Sequence, residues 1–523
     1  MRSQDVSFTV TPTSRAMIHW MLLACLTGEA LAANILGIFP FTAKSHFTMY
    51  EVLLEELHAR NHNLTVMSHF PLKSPKPNYT DVSLVGSVPS LHGNLSMSHL
   101  NDAPLNLRDN LRQIHQNFDI FDSMLRSREV QRLLNSTSKF DLLIIELFDT
   151  DVFLAFAHRF RAPYISISPC PLLPWAHGRV GNEANPAFVP VFFSEFNNNM
   201  DIVSRAMNAL YYAASNFYYD QIMDAESEKL MKRLFPGYPP LRSIAEDVSL
   251  ILVNTHGSLH RPPPSSQRVV QVGGMHVRDP QPLKDAILVE FLETAEEGVI
   301  LFSMGSMFKF DSLPRDKREA FDKALKRVSQ RVIWKWESGK AINGNILYMD
   351  WVPQRDVLAH RNVVLFIYHG GLLGVTEAVH SGVPILGIPM FGDMTINMAA
   401  VASAGAGISL RFRDITDDLL YNTIKHMLES PKYKRNAVEL AKLYNDRPMP
   451  PLQTAVYWTE YVLRNKGAPN LKPHSLSWYQ LWLLDLIILS TFVVIVLAVI
   501  TVAVTKRLAR SSAWILNFKT KEQ

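Results

Sequence analysis

Residues 351–397 read WVPQRDVLAHRNVVLFIYHGGLLGVTEAVHSGVPILGIPMFGDMTIN. The apolar run 363–367 has the length and composition of a buried strand, His369, Gly370 and Gly371 form a turn, and the segment carrying Thr376 and Glu377 continues as a helix. A strand, a glycine turn and a helix start in that order make one step of an α/β fold. The glycines let the backbone approach a ligand closely, and unpaired N–H groups at the helix start favour an anion such as phosphate. Upstream, Trp351 offers a flat aromatic face and Gln354 an amide, the properties needed to stack on a nucleobase and read it. Downstream, a second strand at 384–389 runs into Phe391, Gly392 and Asp393, whose carboxylate can accept hydrogen bonds from sugar hydroxyls.

In order and spacing, W-x-P-Q, H-G-G, E and G-D resemble the signature of the UDP-glycosyltransferases, nucleotide-sugar enzymes with two Rossmann-like doubly wound domains facing a cleft, the GT-B fold. The likeness covers nearly the whole mature chain, and the passages SHFTMYEVLLEELHARNHNLTVMSHFP and FDLLIIE are most similar to insect members. It implies that Trp351 stacks on uracil, that Gln354 contacts uracil or ribose, and that His369, Gly371 and nearby N–H groups hold the diphosphate. Glu377 would bind ribose hydroxyls and Asp393 the sugar. Ser303, Met304, Gly305 and Ser306, at the end of another strand, resemble the family's second diphosphate-contacting turn. Three positions depart from the pattern. Gly374 stands where a serine usually touches phosphate, Tyr368 replaces a common threonine, and Met394 replaces the glutamine that binds sugar hydroxyls. Losing that glutamine removes one hydrogen bond of roughly 0.5–1.5 kcal/mol. Nucleotide binding is expected to survive these changes; sugar identity and rate are what they touch.

Glycosyl transfer to a hydroxyl needs a base for the acceptor proton, and a neutral histidine suits that task near pH 7. Ser45, His46 and Phe47 resemble the family turn that carries this base. The residue that orients it is usually an aspartate at the end of the strand beginning Phe140-Asp141, a position held here by Glu146. The substitution keeps the carboxylate and adds one methylene. One base and direct displacement imply inversion at the anomeric carbon. Asp149, Thr150 and Asp151 form a D-x-D triplet like the metal site of another glycosyltransferase class, but Thr150 and Asp151 stand where helix N-caps belong. With no His/Cys cluster at metal spacing, no metal and no cofactor are expected. Helix N-termini and His369 would neutralise the UDP.

At 523 residues the chain exceeds one ordinary core, and Lys plus Arg of 52 against Asp plus Glu of 48 gives +4, no support for a nucleic-acid surface. Arg2 and Arg15 precede an apolar run at 16–26, and Ala30, Leu31 and Ala32 supply an A-x-A cleavage site, so 1–33 reads as a signal peptide. Its removal takes Cys25 and leaves Cys170 alone, excluding an intrachain disulfide. Residues 486–504 carry no charge, enough for roughly 28 Å of helix, and Lys506, Arg507 and Arg510 follow. That pattern implies a single-pass membrane protein with its bulk lumenal; Lys519 and Lys521 resemble an endoplasmic-reticulum return signal. Asn63, Asn78, Asn94 and Asn135 are glycosylation acceptors on the lumenal side, Asn63 the weakest because it opens a strand-like run.

The organisation that follows is an acceptor-binding domain at 34–272, a linker at 273–284 overlapping the proline- and glycine-rich 261–282 region, and a UDP-sugar-binding domain at 285–470. A juxtamembrane segment at 471–485, a transmembrane helix at 486–505 and a basic cytoplasmic tail at 506–523 complete it. In the first domain 71–105 reads as an irregular excursion, 249–253 as the last strand, and 197–235 as amphipathic helix packed on its own domain. The expected partners are a UDP-sugar donor, a small lipophilic acceptor and a membrane. UDP-glucose is the expected donor, UDP-glucuronate its alternative, and a homo-oligomer stays open. Two rival classes remain: a lumenal UDP-sugar-binding protein without turnover, and a single-span receptor whose lobes close on a ligand.

Overall fold

The structure is a computed structural model that describes residues 32–89, 95–96, 118–181, 185–192, 194, 196, 199–260, 266–309, 312–336, 339–472, 477–481 and 483–519. Of the segment read as a signal peptide, residues 1–31 lie outside the described residues, as does Asn94; Ala33, the last residue of that segment, is buried in the core of the first domain. Residues up to Leu471 form one compact unit and 472–523 a second.

The first sheet is built from β1 (Asn34–Phe39), β2 (Asn63–Ser68), β3 (Tyr79–Ser83), β5 (Leu142–Glu146), β6 (Tyr164–Ser168), β7 (Ile251–Val253) and β8 (Val269–Gln271), with β4 (Leu95–Ser96) outside it. Its order is β3-β2-β1-β5-β6-β7-β8, parallel throughout. Strands such as LLIIE in β5 are buried on both faces, as parallel sheets under two helical layers require. Alternation assigns the two sides: Leu143 and Ile145 enter one core cluster, Leu142 and Ile144 the other.

The second sheet comprises β9 (Val299–Ser303), β11 (Arg331–Lys335), β12 (Ala341–Asn343), β13 (Ile346–Met349), β14 (Val363–Tyr368), β15 (Ile385–Gly387) and β16 (Gly407–Ser409). Its order is β12-β13-β11-β9-β14-β15-β16, with only β12 antiparallel. Here too the faces alternate, Ile300 and Phe302 against Val299 and Leu301. A short parallel pair joins β4 to β10 (Phe308–Lys309).

Each sheet has a point where the strand order reverses, β1 beside β5 and β9 beside β14. Crevices open at the carboxyl ends of strands at such points, the usual ligand positions of doubly wound sheets. His46 follows β1 and Glu146 ends β5; the Ser303 turn follows β9 and the His369 turn follows β14.

Several expectations need correction. The sheet of the first domain does not end at Val253, because β8 adds a strand just before the expected linker, in the proline- and glycine-rich region; three extended residues there carry too little pattern to be seen. Residues 71–105 are not wholly irregular, since β3 forms the sheet's edge there. The helix Pro451–Arg464 falls inside the expected 285–470 domain but packs on the first: Ala455, Val456 and Val462 join the cluster of Ile35, Phe47 and Leu54, and Arg60 meets Glu460 and Gln453. Residues 202–234 are helical, and 219–234 pack as expected through Tyr219, Met223, Leu230 and Met231. Ile202–Tyr218 leaves Ile202, Val203, Leu210 and Phe217 exposed.

In the second unit one helix runs Leu484–Lys519, and its part Leu484–Arg510 is long and apolar enough to cross a membrane. The segment expected as a tail from 506 therefore continues the helix.

Candidate active site

The first wall of the site comes from β1 and β5. The helix Lys44–Ala59 follows β1, and its first turn carries His46, whose Nδ1 lies 2.9 Å from Oε1 of Glu146. Tyr50, one turn further on, donates to the same oxygen at 3.0 Å, and the Phe41 N–H donates to Oε2 at 3.2 Å. Three donors thus fix a carboxylate that is only 6% exposed, and the extra methylene of glutamate is accommodated. Phe41 stacks on the His46 ring at 4.7 Å and Phe148 meets it edge-on at 4.8 Å. With Nδ1–H directed at the carboxylate, the network assigns the tautomer that leaves the Nε2 lone pair free.

The second wall is built from the β9 and β14 turns. Ser303 Oγ accepts from the Gly305 N–H at 3.2 Å, so this hydroxyl shapes the turn. Gly305 has φ of +79°, and a Cβ there would lie 2.4 Å from His369 Cε1, so both conformation and space demand glycine. Burial pushes His369 down to about 3. This corrects the expectation that it helps neutralise UDP by charge: in the free protein it is a neutral ring, able to give a hydrogen bond.

Gln354 Nε2 donates to Glu377 Oε2 at 2.7 Å, and burial raises the Glu377 carboxyl to about 7. Trp351, beside them in sequence, is 65% exposed. Asp393 precedes the helix Met394–Ser403, and burial raises its carboxyl while Asn397, one turn on, donates to it at 2.9 Å. The second Asn397 hydrogen bond goes to the Gly370 carbonyl at 3.0 Å, and its own carbonyl oxygen lies 3.2 Å from His260 Nε2. Met394 is buried among apolar side chains.

His46, Ser306, His369, Gly371, Asp393 and Met394 line one cavity open to solvent, together with Phe41, Phe148, Phe192, Leu372 and Phe391. Glu146 stands behind His46, and Ser303 and Gly305 behind His369. Trp351, Gln354, Gly374 and Glu377 do not line it; Tyr368, which does, has Gln354, Gly374 and Glu377 beside it. Tyr50 and Asn397 had no expected role, although each is four residues after a site residue on the same helix, the spacing that stacks side chains on one face.

The D-x-D triplet divides. Asp149 lines the cavity, whereas Asp151 is held by Arg179, 2.8 Å from its Nη1, and by the Tyr219 hydroxyl at 2.5 Å. Asp151 makes no side-chain capping bond, contrary to expectation; Thr150 Oγ1 accepts from the Val152 N–H at 3.2 Å. Among the described residues no three His, Cys, Asp or Glu converge as metal ligands would. Cys170 is a free, buried thiol.

Residues 36–522 match the family model described as UDP-glucoronosyl and UDP-glucosyl transferase. The chain belongs to this UDP-glycosyltransferase family. It is 38% identical to a UDP-glycosyltransferase, UGT5, of Dactylopius coccus, covering 91% of this chain and 92% of that one. It is 36% identical to UDP-glucosyltransferase 2 of the same species, with 89% and 91% covered. To UDP-glucuronosyltransferase 2A1 of Rattus norvegicus the identity is 29%, with 90% and 93% covered. Among solved structures, the glycosyltransferase VinC in complex with DTDP aligns with a TM-score of 0.54 at 17% identity, over 83% of this chain and 100% of that one. The glycosyltransferase of kitacinnamycin gives 0.52, again at 17% and with the same coverage. These establish the GT-B fold, and family membership makes this UDP-glycosyltransferase an enzyme that takes a UDP-sugar as donor.

Proposed function

We propose that the protein transfers glucose from UDP-glucose, with inversion, to the hydroxyl of a small lipophilic acceptor. The observation that carries this reading is the His46–Glu146 pair, Nδ1 engaged by the carboxylate and the ring on the wall of the cavity that Asp393, Ser306 and His369 also line. As the acceptor oxygen attacks the anomeric carbon, Nε2 takes its proton. The O–H bond breaks, the new C–O bond forms on one face, and the bond to the diphosphate breaks on the other with its electron pair leaving on UDP. Glu146 holds the imidazolium that results. No metal is assigned to the departure of UDP; the N–H groups at the start of the helix Leu372–His380 and the His369 ring offer the hydrogen bonds. Apolar lining from Phe41, Phe148, Phe192 and Leu372 suits a lipophilic acceptor.

Glucose rather than glucuronate is favoured by charge. Among the described residues no Lys or Arg lines the cavity, while Asp149 and Asp393 do, so a uronate carboxylate would enter without a cation and against two acids. Membranes carrying the protein, given each UDP-sugar and a panel of phenols, should consume UDP-glucose faster; faster use of UDP-glucuronate would reverse the assignment. Met394→Gln offers the sugar hydroxyls an amide where a thioether now sits, and is expected to leave transfer unchanged or raise donor kcat/KM by up to about tenfold, the worth of one hydrogen bond. A fall in kcat/KM with unchanged UDP affinity would show that the buried amide finds no partner there.

The spanning helix and the basic residues after it support a type I anchor in the endoplasmic reticulum with both lobes lumenal. Glycan acceptors then report topology. Asn78 and Asn135 are exposed, at a loop and a helix end, whereas Asn63 opens β2 and donates to Asn34 Oδ1. Glycans are expected on Asn78 and Asn135, read as mass shifts lost with Asn78→Gln and Asn135→Gln. No shift in either variant would contradict lumenal lobes.

A further inference from the structure

Tyr368 and Gly374 are one structural exchange. Tyr368 ends β14, points its ring across the start of the helix Leu372–His380, and is 5% exposed. A Cβ on Gly374 would lie 2.4 Å from Tyr368 Cζ and 2.5 Å from its hydroxyl oxygen. Gly374 is not at a positive φ, so glycine is required by the phenol and not by the backbone. The phenol thus occupies the space of a side chain at 374 and brings a hydroxyl oxygen from the strand to within 2.5 Å of where that Cβ would be.

The surroundings of that oxygen decide what it can do. Gly374 and the Gln354 side chain lie beside it, while Glu377 and Asp393 stand near enough to oppose loss of its proton. Burial acts in the same sense, so the phenol stays a neutral O–H. Among the described residues no carbonyl or carboxylate accepts that hydrogen, and Tyr368 lines the cavity beside Gly371 and His369. A hydroxyl without a protein acceptor, on a residue of the cavity wall beside a helix N-terminus that is itself a source of N–H groups, is suited to an anionic oxygen. Resting on the UDP-sugar reading above, we infer that the Tyr368 hydroxyl donates to a phosphate oxygen of the donor, making Tyr368 a donor-binding residue and explaining glycine at 374.

The test uses the full-length protein in detergent, with UDP and uridine as separate probes. Tyr368→Phe keeps the ring over Gly374 and removes only the hydroxyl. UDP affinity should fall roughly three- to tenfold and the KM for the UDP-sugar rise alike. Uridine affinity and the KM for the acceptor should stay where they are. Gly374→Ser alone should lower the melting temperature, because the ring blocks its Cβ, whereas Tyr368→Thr combined with Gly374→Ser should return UDP affinity to within about twofold of the parent, the hydroxyl now coming from the helix. Tyr368→Phe binding UDP as the parent does, or losing uridine and UDP equally, would overturn the assignment while leaving the enzyme reading intact. A parent protein that binds uridine and UDP equally weakly would instead remove the reading on which it rests.

Discussion

Replacing His46 with alanine is expected to lower kcat by about 10²–10⁴-fold, the usual contribution of a positioned base, with UDP affinity unchanged. The separation follows from position: His46 belongs to the first lobe, on the helix after β1, whereas the turns assigned to the diphosphate belong to the second. Glu146→Gln should come within about an order of magnitude of the same loss without deleting the base. Glu146 accepts from His46 and Tyr50 at Oε1 and from the Phe41 N–H at Oε2, so an amide that keeps its oxygen on the Phe41 N–H places its NH₂ at the Oε1 position. Its NH₂ then faces His46 Nδ1, which must become the acceptor, and the ring proton moves to Nε2 where the lone pair is needed. The double variant should be no slower than His46→Ala alone, because the carboxylate acts only through the ring. Steady-state rates with UDP melting shifts on the same samples check all three. Equal turnover in the parent and in His46→Ala would end the base assignment.

Most of the donor side is legible in residues 351–397 because its signals are local. Glycines, a strand run and a helix start lie within a few residues of one another, and the parallel sheet places them at a strand's carboxyl end whatever the rest of the chain does. His46 and Glu146 are 100 residues apart, yet both mark strand ends, and β1 pairing with β5 brings them together. What local pattern could not carry was packing between distant segments. That Pro451–Arg464 returns to the first domain depends on apolar residues fitting under β1 and β2, and an amphipathic helix does not name its partner. Nor could sequence show that Tyr368 and Gly374 share a space, because six residues across a glycine turn specify no distance.

Glu377→Gln should act on stability and on binding with opposite signs. Burial raises the Glu377 carboxyl to about 7 from 4.5, so between those values the folded chain holds a proton that the unfolded chain has lost. Stability therefore falls as pH rises through this window, and above pH 7 the folded protein carries the full cost of an ionised, poorly solvated carboxylate. A carboxyl raised that far is penalised on ionising by about 3 kcal/mol at most. Glutamine has no such charge and can still meet Gln354 through its own amide, so at pH 8 the variant should melt higher than the parent, and at pH 4.5 the difference should vanish. Binding goes the other way. A carboxylate accepts from two ribose hydroxyls at once, whereas an amide accepts through one oxygen and presents donors at the other position. UDP affinity should fall by roughly tenfold, the loss of a hydrogen bond to a charged acceptor. It should also lose its dependence on pH between 6 and 8, where the parent gains affinity as Glu377 ionises. Thermal melts over pH 4.5–8, with and without UDP, read both effects at once. A parent whose UDP shift is flat across that range would show that the ribose does not rest on Glu377, and a variant no more stable at pH 8 would show that Gln354 already compensates the buried charge.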